Sequence, residues 1–198
     1  MKKKILSAVI FLLAFSNIAI ANAPASSPKK VIGIVLEAPA TYANNQTVRE
    51  LVPEKVAVLF PEDRFIVLPF EQTSAAVRTY REDKRLPDSG DHFVPLNRED
   101  IMTLLKPLNC DYAFFIKVTN SQPRTSSGVF TSTARTTVTC DIRLLDLKTG
   151  QYKITKEIIK DGRSTSGPMY GGSPSLNRAY ERALNSALDE IQIDTSDL

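Results

Sequence analysis

Histidine, cysteine, serine and acidic residues are the side chains through which this chain could do covalent or acid–base chemistry, and they are sparsely placed. His92 is the only histidine. That excludes metal sites built on paired imidazoles and leaves any serine nucleophile without a second imidazole as base. His92 sits in a proline-bounded loop with Asp88 and Asp91, where an exposed loop residue is the favoured reading over an acid–base group. No G-x-S-x-G elbow occurs, and although a Ser–Lys arrangement stays open, nothing singles out a pair. Cys110 and Cys140 lack the C-x-x-C spacing of a redox site. Asp141 and Asp146 stand at an odd offset on one strand pattern, so they face opposite sides and cannot share a proton; Asp146 reads as turn support. The sequence assigns no catalytic, cofactor-binding or metal-ligating residue, and the expectation is a protein that is not an enzyme.

Two stretches could bind rather than react. Gly162-Arg163-Ser164-Thr165-Ser166-Gly167, continuing through Gly171-Gly172-Ser173, leads towards a helix, as phosphate-binding loops do. Its spacing matches neither of the phosphate-binding glycine patterns, so a flexible connection ending in an ordinary cap is expected. The stretch Asn120 to Arg135 is the stronger candidate. It places Arg124 and Arg135 beside Val129 and Phe130, and arginine with an exposed aromatic is the composition of a protein-docking anchor. The competing reading is a mobile hairpin loop.

The elements that must position these residues follow from periodicity. Thr136 to Ile159 reads as a long β-hairpin: Val138, Cys140, Ile142 and Leu144 alternate with polar residues, Lys148-Thr149-Gly150 turns the chain, and Tyr152, Ile154 and Ile158 return. Val31–Leu36, Arg64–Leu68 and Asp111–Thr119 are three further strands. Helices are expected around Val48–Phe60, starting or kinking at Pro53; over Glu71–Arg85; and over Arg98–Leu105, capped by Asn97 and stopped by Pro107. The closing helix carries Leu176, Ala179, Tyr180, Ala183, Leu184, Ala187, Leu188 and Ile191 at unbroken helical spacing, with Ser173 as its expected cap. The order β-α-β-α-α-β-β-β-α describes an α/β (α+β) domain with a mixed sheet and helices against it, in two or three layers.

Lys2, Lys3 and Lys4, the apolar run Ile5–Phe15 and the small residues Ala19, Ala21 and Ala23 have the form of a secretory signal over residues 1–23, with exits after Ala21 or Ala23. Residues 24–30 then form a flexible leader, 31–193 one domain, and 194–198 a polar tail. Three of the 25 basic residues lie in the signal, so the remainder balances 22 basic against 22 acidic residues. That neutrality excludes binding driven by a basic surface, whether to nucleic acid or to an anionic membrane, and no later segment is apolar enough for membrane insertion. Export, to the periplasm or beyond, permits a disulfide. If 110–119 pairs antiparallel with 131–140, Cys110 and Cys140 face each other; the alternatives are that bridge or two buried free thiols.

Three pieces together resemble the periplasmic family that includes the curli-secretion protein CsgG, the TolB amino-terminal domain and the penicillin-binding-protein activator lipoproteins. LLKPLNCDYAFFIKV is similar to the family's helix-then-strand step, with Asn109-Cys110-Asp111-Tyr112 in place of its usual motif. CDIRLLDLKTGQY is similar to its strand ending in Asp-x-x-Thr-Gly, and AYERALNSALDEI to its closing alanine-rich helix. The chain departs from the family in having no lipobox cysteine and no long alternating insertion for a transmembrane hairpin. The resemblance implies a non-enzymatic envelope accessory domain working through protein contacts, with homo-oligomers permitted. The alternatives are a soluble component of an outer-membrane secretion assembly and, behind it, a serine hydrolase.

Overall fold

The computed structural model describes residues 28–39, 45–87, 93–121, 123–167 and 173–198. The predicted signal and His92 with its neighbours Asp88 and Asp91 lie outside them, as do Gly171 and Gly172. Strand β1 (Lys30–Glu37) buries side chains on both faces, as a strand covered on both sides must. It pairs in parallel with the short β2 (Phe65–Val67) on one edge and with β3 (Tyr112–Asn120) on the other. Helix α1 (Gln46–Leu59) joins β1 to β2 and runs through Pro53 rather than starting there. Helices α2 (Phe70–Lys84) and α3 (Arg98–Leu105), with a 3-10 turn over Lys106–Leu108, join β2 to β3. Asn97 caps α3, as its sequence predicts, and the structure adds a reciprocal capping box with Asp100.

After β3 the chain becomes antiparallel. It forms β4 (Arg124–Ser127), β5 (Ser132–Asp146) and β6 (Gln151–Ser166), then closes with α4 (Leu176–Asp189). Strand β6 follows β5 along one edge, while β3 pairs with 138–146 and β4 with 132–135. Strands β3 and β4 therefore lie end to end along the other edge of β5, and β6 is a border of the sheet. The mixed sheet with helices against it agrees with the α+β expectation. The element order gains one strand, β4, from the stretch read as a polar loop. The hairpin is also longer than its apolar alternation suggested, because Ser132–Arg135 and Gly162–Ser166 continue the ladder with hydroxyls and arginines. The expected flexible connection at Gly162 is thus strand through Ser166.

Two cores lie on the two faces of the sheet. Val48, Val52 and Val56 of α1, and Tyr180, Ala183, Leu184, Ala187 and Leu188 of α4, close over Ile32, Ile34, Phe114, Ile116, Val138, Cys140 and Ile142. On the opposite face Ile101, Leu104 and Leu105 of α3 close over Val35, Ala113, Phe115 and Leu145, with Val77 and Tyr80 of α2 alongside. This second layer stops near β3. Beyond it, Thr119, Thr139, Asp141, Glu157 and Ile159 form a half-buried to exposed sheet face. No described helix is long and apolar enough to cross a membrane.

Two local details depend on single residues. At the β5–β6 turn, Asp146 Oδ1 accepts from the N–H groups of Lys148 (2.8 Å) and Thr149 (3.0 Å), and Gly150 takes φ 70°. Burial opposes the charge on Asp146, yet those donors hold its carboxyl below the usual range. At the other end of β6, α4 crosses so closely that a Cβ on Gly162 would run into the backbone carbonyl of Ala179. This approach also moves the helix start. Ser175, not Ser173, caps α4, and its N–H donates to Ser164 Oγ on β6 at 3.2 Å.

The register overturns the proposed cysteine pairing. Val118, not Cys110, stands opposite Cys140, and Tyr112 stands opposite Asp146. Cys110 precedes the strand, after Asn109 in the left-handed region, and joins the α3-side core. There a Cβ on Gly33 would lie 3.0 Å from its Sγ. Cys140 belongs to the core on the other face, so the sheet separates the two thiols and both are free.

Burial raises the Cys140 thiol to about 12; burial, and then the charge of Asp111, raise Cys110 to about 11. Mass spectrometry without reduction should find no loss of two hydrogens, and iodoacetamide at neutral pH should label both residues only after unfolding. Gly162→Ala should destabilise the fold by about 1–3 kcal/mol or more in denaturant titration, because backbone must move to admit one methyl. Gly128→Ala, whose Cβ would meet Thr131 O at 3.4 Å, should change stability far less.

Candidate functional site

The arm formed by β4, the start of β5 and the end of β6 is built from residues that favour strands or turns but offer little to bury. Arg124-Thr125-Ser126-Ser127 pairs antiparallel with Ser132-Thr133-Ala134-Arg135. The Gly128 N–H donates to Thr131 O at 2.6 Å and closes the tip. Between them Val129 is 91% exposed and Phe130 is 74% exposed. Large apolar side chains so accessible, side by side at a polar tip, have no role in either core. All four predicted docking residues, Arg124, Val129, Phe130 and Arg135, lie on this one arm and are exposed.

The ladder adds a residue that sequence reading missed. Arg124 stands opposite Arg135, and Arg135 stands opposite Arg163. Cross-strand partners share a face, so three exposed guanidinium groups form one row over three neighbouring strands. One step nearer the tip, Ser126, Thr133 and Thr165 form a row of hydroxyls, with Thr133 Oγ1 and Thr165 Oγ1 3.4 Å apart. Arg163 Nε donates to Thr165 Oγ1 at 3.1 Å. One step the other way, Asp161 accepts from Thr137 Oγ1 at 2.6 Å. None of the three arginines forms an ion pair among the described residues. The alternation Arg163, Thr165 after Asp161 was the signal for Arg163; the surrounding glycines obscured it.

A cleft of about 600 Å³ opens at the carboxyl end of β1, lined by Leu36, Ala38, Phe70, Val77, Arg78 and Phe93 among others. At its base Glu37 and Arg81 form an ion pair at 2.6 Å, their side chains only 2% and 8% exposed. Glu37 Oε1 also accepts the Leu96 N–H at 2.9 Å. Arg81 Nη1 donates to Pro87 O (3.1 Å) and Val94 O (3.0 Å), and its guanidinium lies over the Phe93 ring. This pair ties β1, α2 and the segment entering α3 together, which is a structural task. Burial pushes the Glu37 carboxyl above its usual range against the opposing pull of the Leu96 N–H and Arg81.

No protein-family model matches the sequence, and no curated protein matches it. Solved structures do overlap it loosely. Lipoprotein GNA1162 from Neisseria meningitidis is 17% identical over 82% of this chain and 100% of its own, with a TM-score of 0.36. The LpoB C-terminal domain from Escherichia coli is 13% identical over 66% of this chain and 81% of its own, with a TM-score of 0.34. TolB from Acinetobacter baumannii is 13% identical over 83% of this chain and 28% of its own, with a TM-score of 0.31. With identities and TM-scores this low, none of them assigns the chain to a family.

Arg81→Met leaves Glu37 buried without its counter-charge and frees the Pro87 and Val94 carbonyls, so it should cost about 3–5 kcal/mol in denaturant titration. Glu37→Gln tests the protonation. A carboxyl raised in the folded state contributes its full stability below its ordinary 4.5 and loses it as pH rises through the raised value. The stability advantage of wild type over Glu37→Gln should therefore shrink from pH 4.5 towards neutrality.

Proposed function

We propose that this chain is a non-enzymatic, exported accessory domain of the cell envelope that works by docking another protein through the β4–β5 tip. The observation that carries the reading is the exposure of Val129 and Phe130, 91% and 74%, on an arm whose neighbouring residues are polar. Exposed large apolar side chains with arginine beside them are usual anchors of a protein interface. The signal-like amino terminus supports export, and the absence of any sequence motif for catalysis supports a binding role. The family reading made from LLKPLNCDYAFFIKV, CDIRLLDLKTGQY and AYERALNSALDEI belongs to the same proposal.

A second reading, a soluble subunit of an outer-membrane assembly, is favoured by β6. This 16-residue border strand pairs only with β5 among the described residues, and an open ladder can receive another copy. A ring-sized particle in size-exclusion chromatography would support it; a monomer would count against it.

For the leading reading, a photo-crosslinking residue at position 130, introduced into the full chain in cells, should give one or a few discrete adducts in the envelope fraction. Val129→Ser with a crosslinker at a neighbouring tip position should reduce them severalfold. A crosslinker at position 130 that captures nothing specific would sink the docking reading.

A further inference from the structure

We propose that Arg124, Arg135 and Arg163 form a carboxylate-receiving row, and that the partner docked by the tip is a protein presenting clustered Asp or Glu beside the apolar surface that takes Val129 and Phe130. This rests on the docking reading above and names the chemistry of the partner.

The three arginines are consecutive cross-strand neighbours on the open face of the sheet. Strands spaced about 4.8 Å apart set the row about 10 Å wide. Like charges directly opposite one another on adjacent strands are destabilising, so the fold gains nothing from this arrangement. It is also local, since the segment after the signal balances its basic and acidic residues. Arg49 and Arg143, both half-buried, are paired with Glu71 and Asp141 at 2.5 Å each, while other exposed arginines such as Arg78 and Arg178 also lack an ion pair among the described residues. What sets the three apart is that they stand directly opposite one another. Asp161, the carboxylate in the adjoining row, is engaged by Thr137 instead. All three positions carry arginine, whose planar fork matches a carboxylate through two parallel hydrogen bonds. Arg163 is held in place by its bond to Thr165, which reduces what must be ordered on binding.

An anionic bilayer offers similar charge. The surface between the tip and the arginines argues for protein, because Ser126 and Thr165, exposed on the same face as the arginines, supply hydroxyl donors and acceptors that a folded partner can match. Only two apolar side chains stand ready to enter lipid.

The test uses the full chain without its signal, with polyglutamate and phosphatidylglycerol vesicles as probes, beside the triple variant R124Q/R135Q/R163Q and its lysine counterpart. Wild type should bind polyglutamate more tightly than vesicles and lose that binding at high salt. The glutamine variant should bind about tenfold or more weakly, with the lysine variant between. Its melting temperature should equal or exceed that of wild type, the opposite of what a structural role would give. Unchanged polyglutamate affinity in the glutamine variant overturns the proposal, as does binding to vesicles alone. The crosslink at position 130 separates the two readings: if it survives the glutamine substitutions undiminished, docking stands and the charge assignment falls. If wild type gives no crosslink, docking itself falls.

Discussion

Strand β5 is the constraint on which the rest of the structure depends. One edge of it is occupied by β6 from Ser132 to Asp146, so β3 and β4 must share the other edge end to end. The parallel half, β1 and β2, is then attached through β3. A strand that pairs with three others cannot slip by one residue without exchanging Val138, Cys140, Ile142 and Leu144 for the polar residues between them. The apolar alternation of β5 therefore fixes the register of most of the sheet. It also fixes which face α1 and α4 cover.

The same strand explains why the molecule has a closed half and an open half. The face that β5 turns towards α4 is apolar along most of its length. The other face is apolar only near Leu145, where α3 reaches it. Helices α2 and α3 pack against β1 and β3, and their buried anchor is the Glu37–Arg81 pair at the end of β1. That pair holds the segment before α3 by hydrogen bonds to Pro87 and Val94, confining the second layer to the parallel half. A buried ion pair gives little net stability over an apolar substitute, but it specifies which segments meet. What it leaves uncovered is the outer face of the β4–β5–β6 arm.

The parts legible in the sequence were those where one physical preference dominated. The apolar row of α4, the Asn97 cap and the Asp146–Gly150 turn each rest on a local pattern, and each stands as read apart from the cap of α4 and Ile191, which falls just past the helix end. That cap moved from Ser173 to Ser175 because the close crossing over Gly162 is a tertiary fact. The cysteine pairing failed for the same kind of reason. Parity alone placed Cys110 on the face of Tyr112, but the left-handed Asn109 turns the chain just before β3, and the register is offset by eight residues from the one assumed, so that Cys140 faces Val118 instead of Cys110. Within the β4–β5–β6 arm, Arg124, Val129, Phe130 and Arg135 could be named from composition. Arg163 could not, because its place in the row depends on a pairing 28 residues distant in sequence from Arg135.

A border strand and an open polar face are liabilities that folded proteins manage, and this chain manages them unequally. Along β6, Lys153, Lys156 and Lys160 place charge on the border, and Lys160 also pairs with Glu190 after α4, so that the edge resists casual strand addition. Arg143 is covered by an ion pair with Asp141 and by contact with the Tyr152 ring. Towards the tip this management stops. The arginines stand opposite one another, the hydroxyls stand in a row, and two large apolar side chains face water. Stability alone favours dispersed charges and a polar residue at position 130. Three departures from that pattern are concentrated on one arm, while the closed half satisfies its buried groups with few exceptions, and that contrast is the physical ground of the docking proposal.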